Sequence, residues 1–433
     1  MTAEQQSALR ALGRSLAATK SFWGRTEGDE PDGSLIELRP TAGGASQVYV
    51  RDAVGVIRVG DLTLTVRPKI PLHHFVYLLQ RGGIVPRVDA TALGVTPDTS
   101  LWELVARWFL IATTQLLRSE LLRDYRPERD DLAAIRGHID LVGTTRNYYQ
   151  GRPLLTCNYE EFDLDHPLNR VIRAATRTAV GSPLLAPELR GDARRLSARL
   201  DGIGDLKPGD LSVAVDRHTA RYAPALELAR LVLGNQGQAL EAGHQSAWSF
   251  LIRSAAPIEA GIRAVIADAL KPWTQVDKQG RGLTPLRWTL NPDLVFSGAS
   301  ATGDVKYTLA EADWKRNHLY QAVTFATGFR ASDACIVVFQ TEPTRGEASV
   351  HVADIRVSRF AWPADDELSA HDAAIIFTTR CRQWWGTIDH SARPAAKQSA
   401  SAAPPSAVGA GSSTRAGSGS TTSWPAPSPA AYR

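Results

Sequence analysis

Cysteine is scarce in this chain: Cys157, Cys335 and Cys381 are the three in 433 residues, and they lie far apart. An odd, sparse set argues against a disulfide framework and against a cysteine-rich zinc site. The sequence also lacks C-x-x-C, H-E-x-x-H and G-x-S-x-G, so the metalloprotease and lipase-type signatures are missing. It has no G-x-x-x-x-G-K-[ST] phosphate loop, so the chain is not itself a P-loop NTPase. No apolar run approaches the roughly 18 residues of a membrane span. The opening MTAEQQSALRALGRSL carries no apolar core of signal-peptide length. The expected compartment is the cytoplasm, with no membrane partner.

Charge of one sign is also lacking. Lys and Arg total 49 against 45 Asp and Glu, for a net +4 and a pI near 9.0. Three of the basic residues, Lys397, Arg415 and Arg433, fall in residues 394–433, which contain no acid. The remaining body is thus close to neutral. Its pI alone is no argument for nucleic-acid binding, and any such argument must come from a site.

What is present is an ordinary globular composition, 43% hydrophobic and 22% charged, at a length that implies two or three domains. Four segments can be drawn. Residues 1–72 read as a β-rich region: SLIELRPT, QVYVRDAVGVIRVG and DLTLTVRPKI are strand-like, with a turn at Gly60-Asp61 and an end at Pro68 and Pro71. Residues 73–245 read as a mainly helical adaptor. Its longest helix is expected over Leu101–Tyr125, capped from Asp98-Thr99-Ser100. Further helices are expected at Asn169–Val180, Glu188–Leu200 and Ala223–Leu233. Residues 246–393 change pattern: a helical stretch WSFLIRSAAPIEAGIRAVIADAL, strands TQVDKQ, LRWTLNPDLVF and TGDVKYTL, a helix NHLYQAVTFATGF, then strands DACIVVFQTE and EASVHVADIRV. That order implies an α/β layer around one central sheet. A helix from about Leu368 to Trp384-Trp385 closes the folded part. Residues 394–433 are Ala/Ser/Gly/Pro-rich and are expected to be disordered.

The chemistry is expected on the second and third strands of the α/β segment. Pro292-Asp293 precedes Leu294-Val295-Phe296, and Asp304-Val305-Lys306 follows on the next strand. A hairpin brings Asp293 and Asp304 together, and the two-residue period puts Asp304 and Lys306 on one face. Two close carboxylates call for a cation, and hard oxygen ligands favour Mg²⁺. Such an ion would polarise a scissile phosphate and acidify bound water, while Lys306 could orient that water or meet developing charge. The Val305 carbonyl is a further candidate ligand. Glu259, on the preceding helix, could complete the acidic set, and Gln321, on the following helix, could reach water or phosphate. The bland reading of Asp-x-Lys on a strand is a solvated face. Of the other features, His73-His74 reads as a surface pair at a helix start. Tyr148-Tyr149, beside Arg146 and Arg152, could stack bases but reads better as a packed loop. Trp384-Trp385 reads as a core cap.

Several motifs, in order, resemble the McrC family, the nuclease subunit of McrBC modification-dependent restriction systems. They are Val54-Gly55-Val56-Ile57 with Val66-Arg67-Pro68-Lys69-Ile70, Arg123-Asp124-Tyr125, and Ile135-Arg136-Gly137-His138-Ile139. Next come Cys157-Asn158-Tyr159-Glu160-Glu161-Phe162 and Asp165-His166-Pro167-Leu168-Asn169-Arg170, then Pro292-Asp293, Asp304-Val305-Lys306 and Tyr320-Gln321. The resemblance covers most of residues 50–345. It implies a PD-(D/E)xK nuclease core, a central mixed sheet flanked by helices, behind the β-rich and helical adaptor. It implies Mg²⁺-dependent cleavage of double-stranded, modified DNA alongside a hexameric McrB-like AAA+ GTPase. The N-terminal region would dock on that ring and stimulate its GTP hydrolysis, and sensing of 5-methylcytosine would belong to the partner. Metal-ligand roles carry over to Asp293 and Asp304, and the catalytic lysine to Lys306; Glu259 aligns only through its helix. Two rivals stand beside this reading. One is a non-catalytic activator and DNA clamp for a partner NTPase. The other is a PD-(D/E)xK nuclease of another NTP-driven defence system.

Overall fold

The structure, a computed structural model, describes residues 1–18, 35–41, 46–85, 100–234, 236–240, 246–284, 288–309, 314–341 and 349–388. The expectation of a disordered tail over 394–433 lies outside them. The chain opens with helix α1 (Ala3–Ala18), followed by strands β1 (Ile36–Pro40), β2 (Ser46–Val50), β3 (Ala53–Val59) and β4 (Leu62–Val66). Strands β1 and β2 form a hairpin, and β3 pairs with β4 across the Gly60-Asp61 turn. The apolar face of α1 (Leu9, Leu12, Leu16) packs with Ile36, Ile57 and Val59 in a small separate core.

The adaptor region holds α2 (Leu72–Arg81), α3 (Leu101–Leu116), β5 (Asp124–Leu132), β6 (His138–Ile139), α4 (Leu141–Tyr149), β7 (Leu155–Asp163), α5 (Pro167–Gly181), α6 (Pro187–Arg199) and α7 (Ala223–Gly234). Ser100 caps α3 by accepting the Glu103 N–H at 3.1 Å, the Ser-x-x-Glu start of a capping box. Asp165-His166-Pro167-Leu168-Asn169-Arg170 opens α5 and anchors the bundle. Buried Arg170 donates to both oxygens of buried Asp210 at 2.8 Å. Asn169 donates to the carbonyls of Leu122 and Leu164, and Tyr222 Oη donates to Asn169 Oδ1 at 2.7 Å.

Two expectations are corrected here. The helix over Leu101–Tyr125 stops at Leu116. Residues from Asp124 instead form β5, because their side chains alternate against β7 in a nine-residue antiparallel pairing. The adaptor is therefore not mainly helical throughout, since β5, β6, α4 and β7 make a three-stranded module of their own.

Next come β8 (Gln236–Leu240), β9 (Ser246–Arg253), α8 (Ala255–Leu270), β10 (Val276–Asp277), β11 (Arg281–Leu283), β12 (Trp288–Leu290), β13 (Leu294–Phe296), β14 (Ala301–Leu309), α9 (Arg316–Phe329), β15 (Asp333–Gln340), β16 (Ser349–Val352), β17 (Ile355–Pro363) and α10 (Ala370–Trp385). The stretch from Trp248, expected as helix, is strand up to Arg253 and helix only from Ala255. Seven consecutive pairs join β9 to β3. Sheet pairing overrides the local helical pattern, and β8 and β9 thus complete the N-terminal sheet in the order β4-β3-β9-β8.

The second large sheet runs β10-β13-β14-β15-β17-β16. It is mixed: β13 and β14 are antiparallel, whereas β14, β15 and β17 run parallel. Parallel neighbours need a crossover, which α9 supplies between β14 and β15. Every residue of β15 is buried, as expected for a parallel strand covered on both faces. Helices α8 and α10 cover one face and α9 the other.

The adaptor and this α/β layer share one continuous core, reaching from Val54 to Ile388. Helix α2 lies directly on α8. A Cβ on Gly261 would sit 2.3 Å from the Leu78 carbonyl oxygen, so only glycine permits that approach. His73-His74 is corrected as well. His74 is fully buried, and both His Nε2 atoms donate to the Leu368 carbonyl, while Trp362 Nε1 donates to His74 Nδ1 at 2.9 Å. Burial holds His74 below the ordinary imidazole range. Trp384 and Trp385 pack on Phe296 within the core, as expected.

Candidate functional site

The β13–β14 hairpin builds the site. Its register pairs Leu294 with Gly303, and one further step sets Asp293 opposite Asp304. Gly303 matters for this packing, since a Cβ there would lie 2.5 Å from Cys335 Sγ on β15. Both aspartates are buried. Asp293 is fixed from two sides: its Oδ2 accepts the Val305 N–H at 2.9 Å, and its carbonyl accepts from Arg263 Nη1 at 2.9 Å. Asp304 forms an ion pair with Lys306 through its buried Oδ2, which accepts no other hydrogen bond. Lys306 in turn donates to Gln321 Oε1 on α9 at 2.7 Å. Glu259, one turn into α8, stands beside Asp293.

Burial and the neighbouring charges set the protonation of these groups. The Asp304 carboxyl is pushed up to about 6, chiefly by burial and further by Asp293, against the opposing pull of Lys306. Glu259 rises to about 7, again chiefly by burial and then by Asp293, with Lys278 opposing. Carboxylates that resist ionisation unless a cation arrives are the usual electrostatics of a cation-using site.

The structure thus brings Asp293, Asp304, Lys306, Glu259 and Gln321 together, with the Val305 peptide N–H holding Asp293 in place. Among the described residues, no three or more His, Cys, Asp or Glu side chains are grouped so that they could hold a metal ion by themselves. The donor set still fits Mg²⁺, which characteristically takes one or two carboxylates and leaves the remaining positions to water and substrate phosphate. Asp304 Oδ2, held only by its ion pair with Lys306, is an acceptor of that kind.

Sequence reasoning missed Lys278 and Arg263. Lys278 Nζ lies 3.3 Å from both Glu259 Oε2 and Asp293 Oδ1. The signal for it is the pairing of β10 with β13, Asp277 opposite Val295, which carries the next residue toward Asp293.

A second missed feature joins the adaptor to the site strand. The register between β14 and β15 slips between Val305 and Leu309. There Lys69 donates its backbone N–H to Tyr307 Oη and its Nζ to the Tyr307 carbonyl, each at 3.0 Å. The Pro68-Lys69-Ile70 motif therefore braces the residue that follows Lys306. A cavity of about 950 Å³ beside this junction is lined by Arg67, Lys69, His73, Leu309, Thr341 and Asp366, and by none of the site carboxylates.

The module of β5, β6, α4 and β7 has a different character. Leu141, Val142, Tyr148 and Tyr149 on α4 are all at least 70% exposed, and Tyr125 and Phe162 are also exposed. The expected packed loop at Tyr148-Tyr149 is thus an exposed helical edge, because α4 packs mainly on β7 alone.

The fold and site define an α/β protein whose paired carboxylates and lysine are presented on a hairpin of a mixed sheet. The family described as McrBC 5-methylcytosine restriction system component matches residues 48–340, and the chain belongs to it. The Escherichia coli K12 type IV methyl-directed restriction enzyme EcoKMcrBC is 22% identical over 188 residues, 42% of this chain. The aligned part is 54% of that relative, so the chain spans about half the length of the curated protein it matches. Among solved structures, a chain of the half-complex from a tetradecameric assembly of Thermococcus gammatolerans McrB AAA+ hexamers with bound McrC superposes with TM-score 0.65. It shares 19% identity and covers 88% of this chain and 95% of its own length, a likeness of fold. No described helix is long and apolar enough to cross a membrane.

Proposed function

We propose that this chain is the Mg²⁺-dependent DNA endonuclease subunit of a McrBC-type restriction system, with a PD-(D/E)xK core over 246–393, working with a McrB-like AAA+ GTPase. The observation that carries the reading is the constellation on one hairpin of buried Asp293 and Asp304 with partly exposed Lys306, backed by Glu259 and Gln321. Asp293 and Asp304 would hold Mg²⁺, with the Val305 carbonyl and Glu259 as further donors. Bound there, the ion would supply Lewis-acid polarisation of the phosphate and a lowered pKa for water. Gln321 and Asp304 hold the Lys306 ammonium at the mouth of the site. From there it can orient the attacking water and meet the negative charge that builds on phosphorus-bound oxygens. Water adds to phosphorus, the P–O bond to the leaving sugar breaks, and the departing oxygen is protonated.

The adaptor supports the partner half of the reading. The module over 124–163 exposes the apolar and aromatic edge described above, the kind of surface that marks an interaction site, and we assign it to docking on the GTPase ring. The Thermococcus relative was solved with McrB AAA+ hexamers, which agrees with such a partner. Docking would also serve the activator reading, in which partner GTP hydrolysis rises but no DNA is cut. Cleavage of methylated plasmid by the chain and its cognate GTPase, with Mg²⁺ and GTP, tests the proposal against Asp304→Ala. Full Mg²⁺-dependent cleavage by that variant would disprove the site assignment.

A further inference from the structure

The site holds two ammonium groups, and they divide the carboxylates between them. Lys306 attends Asp304. Lys278 stands 3.3 Å from Glu259 Oε2 and 3.3 Å from Asp293 Oδ1. Arg263 is committed to the Asp293 backbone carbonyl and neutralises neither carboxylate directly. The two oxygens of Asp293 also differ in duty. Its Oδ2 is occupied by the Val305 N–H, which leaves Oδ1 as the oxygen available to a cation, and that is the oxygen Lys278 touches. The lysine reaches this point from solvent: its side chain is 42% exposed, against 9% for Asp293. It follows the two-residue strand β10 directly, so its stem can swing away without disturbing the sheet.

We propose that Lys278 is the resident counter-ion of the site, occupying the cation position between Glu259 and Asp293 and yielding it when a divalent ion binds. The inference rests on the proposed metal-dependent reading, and it assigns Lys278 to setting how much Mg²⁺ the site demands. Three carboxylates face two ammonium groups here. Removing Lys278 leaves the carboxylates less neutralised, so a divalent ion meets a stronger field and no competitor. Lys278 neutralises the carboxylates while the chain is without metal and raises the metal concentration at which the site fills. It is a positioning and affinity-setting residue, distinct from Lys306, which faces the reacting phosphate.

Mn²⁺ titrated calorimetrically into the full chain without DNA tests this directly, comparing wild type, Lys278→Met, Lys278→Arg and the double variant Lys278→Met with Asp293→Asn. Lys278→Met should bind Mn²⁺ about tenfold more tightly, as removal of one close, partly screened positive charge implies. Lys278→Arg should stay near wild type, and adding Asp293→Asn should abolish the gain. In cleavage assays the Mg²⁺ needed for half-maximal rate should fall in parallel for Lys278→Met. Equal or weaker Mn²⁺ binding by Lys278→Met, with wild type binding normally, overturns the role of Lys278 alone. Absence of Mn²⁺ binding in both, or a gain that survives in the double variant, overturns the inference together with the carboxylate metal site beneath it.

Discussion

Asp304→Asn separates the cost of a buried charge from its use. Asp304 is almost wholly buried, and its carboxyl rises from 3.8 to about 6 even with Lys306 alongside. Ionising it in the folded chain therefore costs about 3 kcal/mol more than in the unfolded chain. The folded state holds this proton more tightly than the unfolded one. Its stabilising contribution is complete below about pH 4, is lost as pH climbs toward about 6, and changes little above about pH 7. Asparagine keeps the volume and does not titrate. The stability of Asp304→Asn relative to wild type should thus rise by roughly 2 kcal/mol between about pH 4.5 and 7.5, a gain of about 2–3 °C in Tm at this chain length. Thermal melts of both proteins in EDTA at the two pH values measure it, with Glu259 present in both. The same variant should lose Mg²⁺-dependent cleavage. A Tm difference that does not change with pH, or one that favours wild type more strongly at the higher pH, would refute the buried-charge reasoning.

Four further outcomes follow from the same geometry. Gly261→Ala should cost about 1–3 kcal/mol, because its Cβ drives α8 against the Leu78 carbonyl; a lowered denaturation midpoint checks this. Tyr307→Phe removes the acceptor of the Lys69 N–H and should cost about 1 kcal/mol, with cleavage reduced through the loosened β14; unchanged values in both assays would remove Lys69 from the account. Asp210→Ala leaves Arg170 without its two-point partner in a buried setting and should cost about 3–5 kcal/mol in unfolding free energy. Cleavage at limiting Mg²⁺ should increase as pH rises through about 6 and 7, where Asp304 and Glu259 lose their protons, since metal ligands must be deprotonated; a flat profile would detach these groups from metal binding.

The hairpin that brings Asp293, Asp304 and Lys306 together was more legible in sequence than the body that carries it. Pro292-Asp293 and Asp304-Val305-Lys306 lie on the two arms of one short hairpin, so the hairpin sets Asp293 beside Asp304 and period-two alternation puts Lys306 on the same face as Asp304. Helices α5, α6 and α7 also followed from apolar spacing and from the breaks around them. What failed was pairing between segments distant in sequence. Nothing near Trp248 announces that it will lie against Arg58 on β3; the local pattern alternates poorly, and only the partner strand makes it extended. Asp124–Leu132 is rich in charge and has no apolar stripe, so its nine-residue pairing with β7 could not be seen from one strand alone. Lys278 was hidden for the same reason: β10 has two residues, too few for a periodic signal, and its importance comes from its neighbour β13. His73-His74 looked like a polar surface pair because the carbonyl that accepts from both rings, Leu368, lies almost 300 positions away.

The central claim is that Asp293, Asp304 and Lys306 form a phosphodiester-cleaving site driven through a docked GTPase. The most direct measurement is cleavage of methylated plasmid by the chain and its cognate GTPase, with Mg²⁺ and GTP, run in parallel with Lys306→Ala. The account predicts cleavage by wild type and none by Lys306→Ala, with partner GTP hydrolysis accelerated equally by both. Cleavage that survives Lys306→Ala, or accelerated GTP hydrolysis without any cleavage by wild type, would contradict it.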